Sequence, residues 1–278
     1  EYLNPKANEN FIDATIGEGG HSIGILEKNK PNGKVLGIEI DSEQIKNCGK
    51  RLKKFKDRII LVNDSYTNLK EIVEKNNFGS INGILFDLGV SSWHLEESGR
   101  GFSFLRDEPL IMRYARNQTQ SLKLKTGLNS EILTAEIIIN QWPEKKLAKI
   151  FKEYGEERYA RRIAQGIVQN REIQPIKTTG QLVEIIRKAV PSGCQHRRIH
   201  FATRAFQALR IAVNDELNNF EKVLPQSMEI LGKGGRMVII SFHSLEDRIA
   251  KNFLKAESKK GLLKILTKKP ITAGSEEI

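Results

Sequence analysis

The chain has 278 residues, of which 39% are hydrophobic, and its formal net charge at pH 7 is +11. This length can bury a sizeable core in one large domain or two smaller ones. The sequence contains no apolar run that could span a membrane and no signal peptide. The two cysteines, Cys48 and Cys194, match no disulfide or metal framework. We therefore expect a cytoplasmic protein with no membrane partner and no metal site.

The segment 11–22 predicts the first unit of a nucleotide-binding sheet, because an apolar pair precedes a glycine-rich turn and a helical run. The dinucleotide fingerprint Gly-x-Gly-x-x-Gly would need its third glycine where Ser22 stands. The pattern Asp13-x-x-x-Gly17-x-Gly19-Gly20 is similar instead to the first motif of the class I S-adenosylmethionine (SAM) methyltransferases. An ordinary glycine-rich turn is the alternative interpretation.

Two further strands are predicted at 34–40 and 58–63, and each is followed by polar residues. Glu39, about 20 residues past the glycines, is placed to accept hydrogen bonds from ribose hydroxyls at the carboxyl edge of the sheet. Tyr66, after the third strand, could pack on an adenine ring. The alternatives are that Glu39 is an ordinary surface acid and that Tyr66 is an aromatic residue that only packs in the core.

A fourth strand at 81–88 ends near Asp87 and runs into a polar cluster that includes Ser91. Polar side chains at this strand end face both cofactor and substrate in such a sheet, which makes the cluster a candidate site. The segment 202–231 predicts one long helix, or two helices broken near Pro225. A fifth strand, 234–241, ends just before His243, and 262–267 is expected to begin a last strand.

From residue 131 to 201 the apolar spacing predicts a block of helices punctuated by prolines and a glycine. Residues 141–210 contain 15 Lys plus Arg against 6 Glu and no Asp, which leaves a net charge of +9. Such a concentration of positive charge predicts a polyanionic partner, and nucleic acid is favoured. The alternative is a charged helix face that is simply solvated.

Six runs of residues together resemble one family, the bacterial small-subunit ribosomal RNA (cytosine-N4) methyltransferases. They occur in the family's order and span nearly the whole chain, at 19–22, 87–92, 100–104, 154–158, 202–217 and 240–248. The resemblance implies an α/β fold: the Rossmann-like sheet of a class I SAM-dependent methyltransferase with an inserted helical domain. The methyltransferase core would comprise residues 1–113 and 202–278, and the RNA-facing insert residues 114–201.

The resemblance also implies the reaction, which is methyl transfer from SAM to the exocyclic N4 amine of a cytidine in small-subunit ribosomal RNA. The family's cofactor contacts correspond here to Gly19, Gly20, His21, Glu39, Tyr66, Asp87 and His94. Glu39 stands where the family often has Asp, and His94 replaces a usual Gln. The basic tail of the family is absent at the end, so we expect a truncated chain.

Catalysis needs an acceptor for one hydrogen of the amine, because its lone pair is delocalised into the ring and positive charge builds on nitrogen. The target base must also leave its stack to enter the pocket. The candidate acceptors at the strand ends are Asp87, Ser91 and His243. The side chains expected to contact the RNA backbone are Arg161, Arg162, Arg197, Arg198 and Arg204.

The expected partner is small-subunit ribosomal RNA, free or in the assembled small subunit, bound by a monomer or a homodimer. One alternative is the same chemistry on another RNA, such as that of an organellar ribosome. A second is an RNA-binding protein that transfers nothing. A nicotinamide oxidoreductase is disfavoured by the missing third glycine.

Overall fold

A computed structural model describes residues 2–115, 132–195, 199–267 and 269–272 of the chain. These residues contain a sheet of five parallel strands in the order β3-β2-β1-β4-β5. The strands are β1 Asn10–Asp13, β2 Val35–Glu39, β3 Ile59–Asn63, β4 Ile81–Asp87 and β5 Leu231–Ile240. The strands predicted from the sequence at these places are confirmed. The expectation of a last strand at 262–267 is wrong, because no strand forms in that described segment.

Eleven α-helices are formed by the described residues. Each of the first three strands is followed by one helix: α1 Gly20–Lys28, α2 Ser42–Arg51 and α3 Leu69–Lys75. A short helix, α4 Ser92–Glu96, follows β4. Between β4 and β5 lie α5 Ala135–Gln141, α6 Glu144–Glu153, α7 Ala160–Ile173, α8 Thr179–Ala189, α9 Thr203–Asn214 and α10 Glu216–Ile230. The last is α11 Ser244–Lys259. No helix in these parts of the chain has the length and apolar character needed to cross a bilayer.

The segment 202–231 forms two helices, but the break is not at Pro225 as the sequence predicted. It lies at Asp215, whose φ of 52° is in the left-handed region and ends α9. A short polar side chain tolerates this conformation better than an apolar one. Pro225 instead lies within α10, which continues through it. A proline removes one backbone donor, and here tertiary packing of α10 outweighs that loss.

The two faces of the sheet are buried in separate apolar clusters because neighbouring strand residues point to opposite sides. Ile12 and Leu36 pack on one face together with Phe220 of α10. Their neighbours Phe11 and Val35 pack on the other face, under α1 and α2. Burial on both faces is typical of parallel sheets. Within the described residues, the sheet faces are covered and the strand ends are the part of the sheet that a cavity reaches.

The helices α5 to α9 share a third apolar core, whereas α10 packs on the sheet. In α6 the buried residues Leu147, Ile150 and Phe151 follow the three- and four-residue spacing of an amphipathic helix. This core extends from Phe102 to Val213 in α9. It therefore includes residues on both sides of the expected insert 114–201, and the division into two domains at those bounds stays a prediction.

Candidate active site

A cavity of about 570 Å³ opens where the parallel strands end. Its wall is formed by segments that follow β1, β3, β4 and β5 and by the last residue of β2. Small-molecule sites in open α/β sheets lie at this edge, and they commonly measure roughly 300–1,000 Å³. The cavity brings together most of the predicted site residues, namely Gly20, His21, Glu39, Tyr66, Asp87, Ser91 and His94.

In the glycine turn after β1, Gly19 and Gly20 have different surroundings. Gly19 has φ of +82°, and a Cβ there would lie 3.0 Å from Leu52 Cδ1 and 3.1 Å from Cys48 Sγ. Its Cβ position faces α2, and the residue is not among those that line the cavity, so its cofactor contact stays a prediction. Gly20 begins α1 and lines the cavity, and a Cβ added there would meet nothing within 4 Å. The helix start has no side-chain cap, which leaves backbone donors for an anionic group.

A buried hydrogen bond between Ser22 and Asp13 connects the two ends of the glycine turn. The Ser22 hydroxyl donates to Asp13 Oδ2 at 2.7 Å, and both side chains are buried. Burial raises the pKa of the Asp13 carboxyl to about 6, although the bond from Ser22 opposes this. Asp13 ends β1 and Ser22 lies in the first turn of α1, so the pair fixes the angle at which the helix leaves the sheet.

Glu39 ends β2 with its carboxylate nearly buried at the cavity wall. Its Oε1 accepts a hydrogen bond from the backbone N–H of Asp41 at 2.9 Å. Burial raises the pKa of Glu39 to about 7 despite such bonds. A carboxylate held in this way gains from any further donor, which suits the predicted contact to ribose hydroxyls.

Tyr66 also lines the cavity, and one edge of its ring packs on the core. Its ring meets that of Phe86 edge to face, with centroids 6.2 Å apart. Burial raises the pKa of the Tyr66 hydroxyl above its ordinary value. Tyr66 can therefore pack on the core and also contact a ligand, because one part of the ring meets Phe86 and another lines the cavity.

Asp87 ends β4 and faces the start of α1. Its Oδ2 lies 3.4 Å from His21 Nε2, and this hydrogen bond raises the pKa of His21. Its backbone N–H donates to the Thr15 hydroxyl at 2.7 Å, which ties the ends of β4 and β1 together. The second carboxylate oxygen, Oδ1, is buried and has no hydrogen-bond partner among the described residues. The Asp87 side chain as a whole is 31% exposed and lines the cavity, although Oδ1 itself is buried.

Ser91 and His94 belong to a buried hydrogen-bond chain that ends on Asp41. The Ser91 hydroxyl accepts from Gln44 Nε2 at 2.8 Å and from the His94 backbone, so its proton is directed to His94 Nδ1 at 2.8 Å. Nε2–H of His94 then donates to Asp41 Oδ2 at 3.1 Å. Arg100 also donates to Asp41 at 2.6 Å. This network assigns the tautomer of His94.

The chain of bonds changes the role expected for His94. Both ring nitrogens are occupied and the residue is only 3% exposed, so it offers a cofactor no free donor or acceptor. Burial lowers its pKa, which keeps the ring neutral. Burial opposes ionisation of Asp41, but hydrogen bonds from His94 and Arg100 lower its pKa to about 2. His94 thus braces the wall between α2 and α4.

The structure does not support His243 as the residue that meets the amine. It does not line the cavity. It caps α11, where its side chain accepts from the Glu246 backbone, and its Nε2 lies 3.3 Å from Glu246 Oε1. Phe242, the preceding residue, lines the cavity instead and is 68% exposed. Both residues lie in the bend between the end of β5 and the start of α11, where the capping role of His243 turns its side chain toward the helix.

The predicted RNA-binding arginines lie on the helices between β4 and β5 where the structure describes them. Arg161 and Arg162 are exposed at the start of α7. Arg204 is exposed on α9 and donates to the Glu156 carbonyl at 3.0 Å. Arg197 and Arg198 lie outside the described residues. The RNA contacts of all five remain a prediction.

Several cavity residues were not singled out from the sequence. They include Gln44 in α2, Tyr114, Phe242 and the run Asn214–Glu216 between α9 and α10. Tyr114 donates to Glu216 Oε1 at 3.3 Å, and Arg210 holds the same carboxylate from 2.9 Å. The run 202–217 was recognised from the sequence as a family motif, and the polar residues near its end could have been predicted from it as site residues. Their approach to β4 depends on the turn at Asp215.

Comparison with known proteins decides the family. A family model described as the MraW methylase family matches residues 1–278. The chain belongs to the MraW methylase family. Its Rossmann-like SAM methyltransferase class and its SAM cofactor, both expected from the sequence, are thereby confirmed.

Curated relatives that match the whole chain carry the name ribosomal RNA small subunit methyltransferase H. The protein from Heliobacterium modesticaldum is 43% identical over 100% of this chain and 90% of its own length. That from Halothermothrix orenii is also 43% identical, with the same coverage. That from Dictyoglomus thermophilum is 45% identical over 100% of this chain and 87% of its own length.

The cavity fits SAM on observations of its own residues. Gly20 leaves open space at an uncapped helix start, which suits a carboxylate. Glu39 offers a buried acceptor at the β2 end, and Tyr66 an aromatic face beyond β3. Asp87 offers a second carboxylate at the β4 end. The cavity therefore presents acidic, aromatic and backbone groups of the kinds that the parts of SAM can contact.

Proposed function

We propose that this methyltransferase transfers the methyl group of SAM to the N4 amine of a cytidine in small-subunit ribosomal RNA. The names of the relatives support the RNA. The carboxylate of Asp87, whose side chain is 31% exposed at the β4 end beside the glycine turn, carries the proposal for an amine as the methyl acceptor. A primary amine can donate one hydrogen to this carboxylate while its nitrogen accepts the methyl group.

SAM would be held by residues that line the cavity. Gly20 and His21 would meet its amino acid end through the start of α1, and Glu39 would accept from the ribose hydroxyls. Tyr66 would face the adenine. When bound, SAM supplies an electrophilic methyl group. His94 would contribute by bracing the wall rather than by a hydrogen bond to the cofactor.

Asp87 would act on the amine. Accepting one N–H at its carboxylate fixes the direction of the nitrogen and stabilises the positive charge that develops there. Methyl transfer forms the N–C bond, breaks the C–S bond and leaves one proton to be removed from nitrogen. The carboxylate would take that proton, and His21, with Nε2 3.4 Å from Oδ2, holds it in position. The carboxylate therefore serves both before and after the transfer.

Ser91 is the second candidate acceptor. Its oxygen already accepts two hydrogen bonds and its proton goes to His94. An incoming amine would have to replace Gln44 as a donor, whereas Asp87 presents a carboxylate whose side chain is 31% exposed. We assign the primary role to Asp87 for this reason, and to Ser91 a role in shaping the wall.

The helical insert would hold the RNA. The exposed side chains of Arg161, Arg162 and Arg204 are available to phosphates, with Arg204 anchored to the Glu156 carbonyl. The concentration of positive charge in residues 141–210 supports a polyanion at this side of the protein. Free RNA and the assembled small subunit are the two forms in which the target can be presented, and both belong in the test.

The deciding experiment uses labelled SAM with small subunits from cells that lack this enzyme, and with the RNA extracted from them. We expect label in the RNA and, after digestion and mass spectrometry, N4-methylcytidine. Methyl on cytosine C5, on ribose or on adenine would refute the proposed reaction. Binding without transfer would favour an RNA-binding protein, and transfer only to another RNA would favour a different substrate.

A further inference from the structure

Phe242 is an exposed aromatic ring on the wall of the cavity. It is 68% exposed, whereas the largest fully buried side chains include Phe11, Phe86, Phe151 and Phe220. Single exposed apolar residues are common on protein surfaces, so exposure alone decides nothing. The position of this ring at the mouth of the active site does distinguish it.

The ring lies beside the strand end that carries Asp87. Asp87 pairs with Ile240 across β4 and β5, and Leu88 N–H donates to the Ile240 carbonyl at 3.0 Å. Gly89 and Phe242 follow this pair by two residues each. A Cβ on Gly89, whose φ is +102°, would lie 3.1 Å from Phe242 Cδ2. The ring therefore covers backbone that adjoins the proposed amine acceptor.

The backbone beneath the ring is held firmly although the ring itself is open. The Phe242 N–H donates to Glu246 Oε2 at 2.8 Å, and Glu246 is 3% exposed. His243 caps α11 at the next residue. A buried carboxylate and a helix cap thus fix where the exposed ring is presented, which limits the conformational entropy that a ligand would have to remove.

We propose that Phe242 is the surface on which the target cytosine stacks after it has left the RNA stack; this inference rests on the proposed function. A flipped base loses its stacking neighbours, and an aromatic side chain can replace one of them. With the ring beside the β4 end, a stacked base would have its edge near Asp87. Stacking would therefore position the N4 amine next to Asp87, in addition to strengthening the binding of the RNA.

The strand order separates this ring from the part of the cavity assigned to the cofactor. Glu39 ends β2 and Tyr66 follows β3, whereas Phe242 follows β5. In the sheet, β1 and β4 lie between β2 and β5. The nucleoside end of SAM would occupy the β2–β3 side, which leaves the β5 side for the second substrate. The base is therefore a better occupant than the adenine for the space next to Phe242.

Contacts at the start of α11 link the region of the ring to the helical unit. Arg248, in α11, has a side chain that is 60% exposed, and it contacts the Glu156 carboxylate at 3.0 Å. Glu156 is also bonded to the Ser244 hydroxyl and, through its carbonyl, to Arg204. Phe242, two residues before α11, is thus connected through this helix to the unit that holds the predicted RNA-binding arginines.

The test compares Phe242→Leu and Phe242→Tyr, since leucine keeps an apolar side chain but removes the ring. The substrate is unmethylated small subunits at saturating SAM. We expect kcat/KM to fall by about 10- to 100-fold in Phe242→Leu, which is the loss of one stacked base, and by less than about threefold in Phe242→Tyr. SAM affinity by calorimetry should stay unchanged. Ile173→Ala, at a side chain 88% exposed on α7, is the control and should behave as wild type.

Three outcomes would overturn the inference. Equal kcat/KM for Phe242→Leu and wild type would exclude stacking, and weaker SAM binding in proportion to lost activity would move the ring to the cofactor. Equal losses in Leu and Tyr variants would indicate a structural role. Thermal unfolding checks each variant, and Phe242→Met gives a second non-aromatic side chain if leucine alters folding. If wild type makes no N4-methylcytidine, the proposed function fails, whatever the variants do.

Discussion

Asp87 and His21 meet at the edge of the cavity, with Asp87 Oδ2 and His21 Nε2 3.4 Å apart. This contact joins the end of β4 to the first turn of α1. It occupies one oxygen of the carboxylate and leaves Oδ1 without a partner among the described residues. The hydrogen bond that His21 donates to Asp87 raises the pKa of His21, so the two side chains favour an ion pair.

Replacing Asp87 by Asn should slow methyl transfer more than it weakens SAM binding. Asparagine keeps the size and one acceptor oxygen but loses the charge that stabilises a positive nitrogen. We expect the single-turnover rate at saturating SAM to fall by about a hundredfold or more. His21→Gln leaves the Asp87 charge in place and should cost less. If Asp87→Asn weakens SAM binding and turns over normally at saturation, Asp87 only positions the cofactor.

Gly19→Ala should lower the stability of the fold, whereas Gly20→Ala should lower the affinity for SAM. At Gly19 the positive φ of 82° and the 3.0 Å approach to Leu52 strain the fold, so we expect loss of about 1–3 kcal/mol of unfolding free energy. At Gly20 the Cβ meets no protein atom within 4 Å but enters the cavity. That variant should keep its stability and lose SAM affinity. Urea unfolding and calorimetry on both variants test the pair, and equal stability losses would contradict it.

Removing Arg100 should destabilise the fold through Asp41. Arg100 and Asp41 are 2% and 0% exposed, and Nη1 lies 2.6 Å from Oδ2. Breaking a buried pair leaves an uncompensated charge, so we expect Arg100→Met to cost about 3–5 kcal/mol in urea unfolding at pH 7. Arg187→Met breaks the exposed pair with Glu184 and should cost less than about 1 kcal/mol. Similar losses in both variants would mean that burial of the pair is unimportant.

Much of the site was predictable because a parallel sheet brings its strand ends to one edge. The positions of Glu39, Tyr66 and Asp87 after successive strands were enough to place them together. The glycine turn was recognisable as well, although which glycine faces the cavity was not. That distinction depends on α2, since Gly19 packs against Cys48 and Leu52 about 30 residues later in the chain.

Other features depended on contacts that local sequence does not encode. His94 was expected to touch the cofactor, but Asp41 binds its Nε2 from 53 residues away. Phe242 rather than His243 enters the cavity because Glu246 holds the Phe242 N–H and His243 caps α11. The helix break at Asp215 was missed as well, because a left-handed residue other than glycine is uncommon. The contact at His94 joins separate elements, whereas those at Phe242 and His243 are local bonds within the first turn of α11 that the apolar pattern does not reveal.

Charge reversal at Arg161 and Arg162 should weaken RNA binding and flatten its salt dependence. If each arginine neutralises one phosphate, Arg161→Glu with Arg162→Glu should lower the slope of log K against log salt by about 1.4 to 1.8. Filter binding to the small subunit over a range of salt concentrations measures this, and SAM affinity should stay the same. The exposed lysines Lys54 and Lys75, reversed together, are a control of equal charge. An unaltered slope would mean that the arginines are only solvated.

SAM affinity should rise with pH because of Glu39. Burial raises the pKa of its carboxyl to about 7 from an ordinary value of 4.5, so the folded apoprotein keeps this proton between those pH values while the unfolded chain does not. The folded state therefore binds more protons, and the Glu39 contribution makes it less stable as pH rises through that window. Ribose hydroxyls donate to the charged form, so cofactor binding expels the proton.

The dissociation constant for SAM should accordingly fall by up to about tenfold per pH unit below pH 7 and level off above it. Glu39→Gln removes the titration, so its SAM affinity should be weaker at pH 8 and nearly independent of pH between 5 and 8. Its apoprotein should also lose less stability than wild type as pH rises through the same range. Calorimetry and urea unfolding at several pH values measure both. A wild-type affinity that is flat from pH 5 to 8 would show that Glu39 does not accept from the ribose.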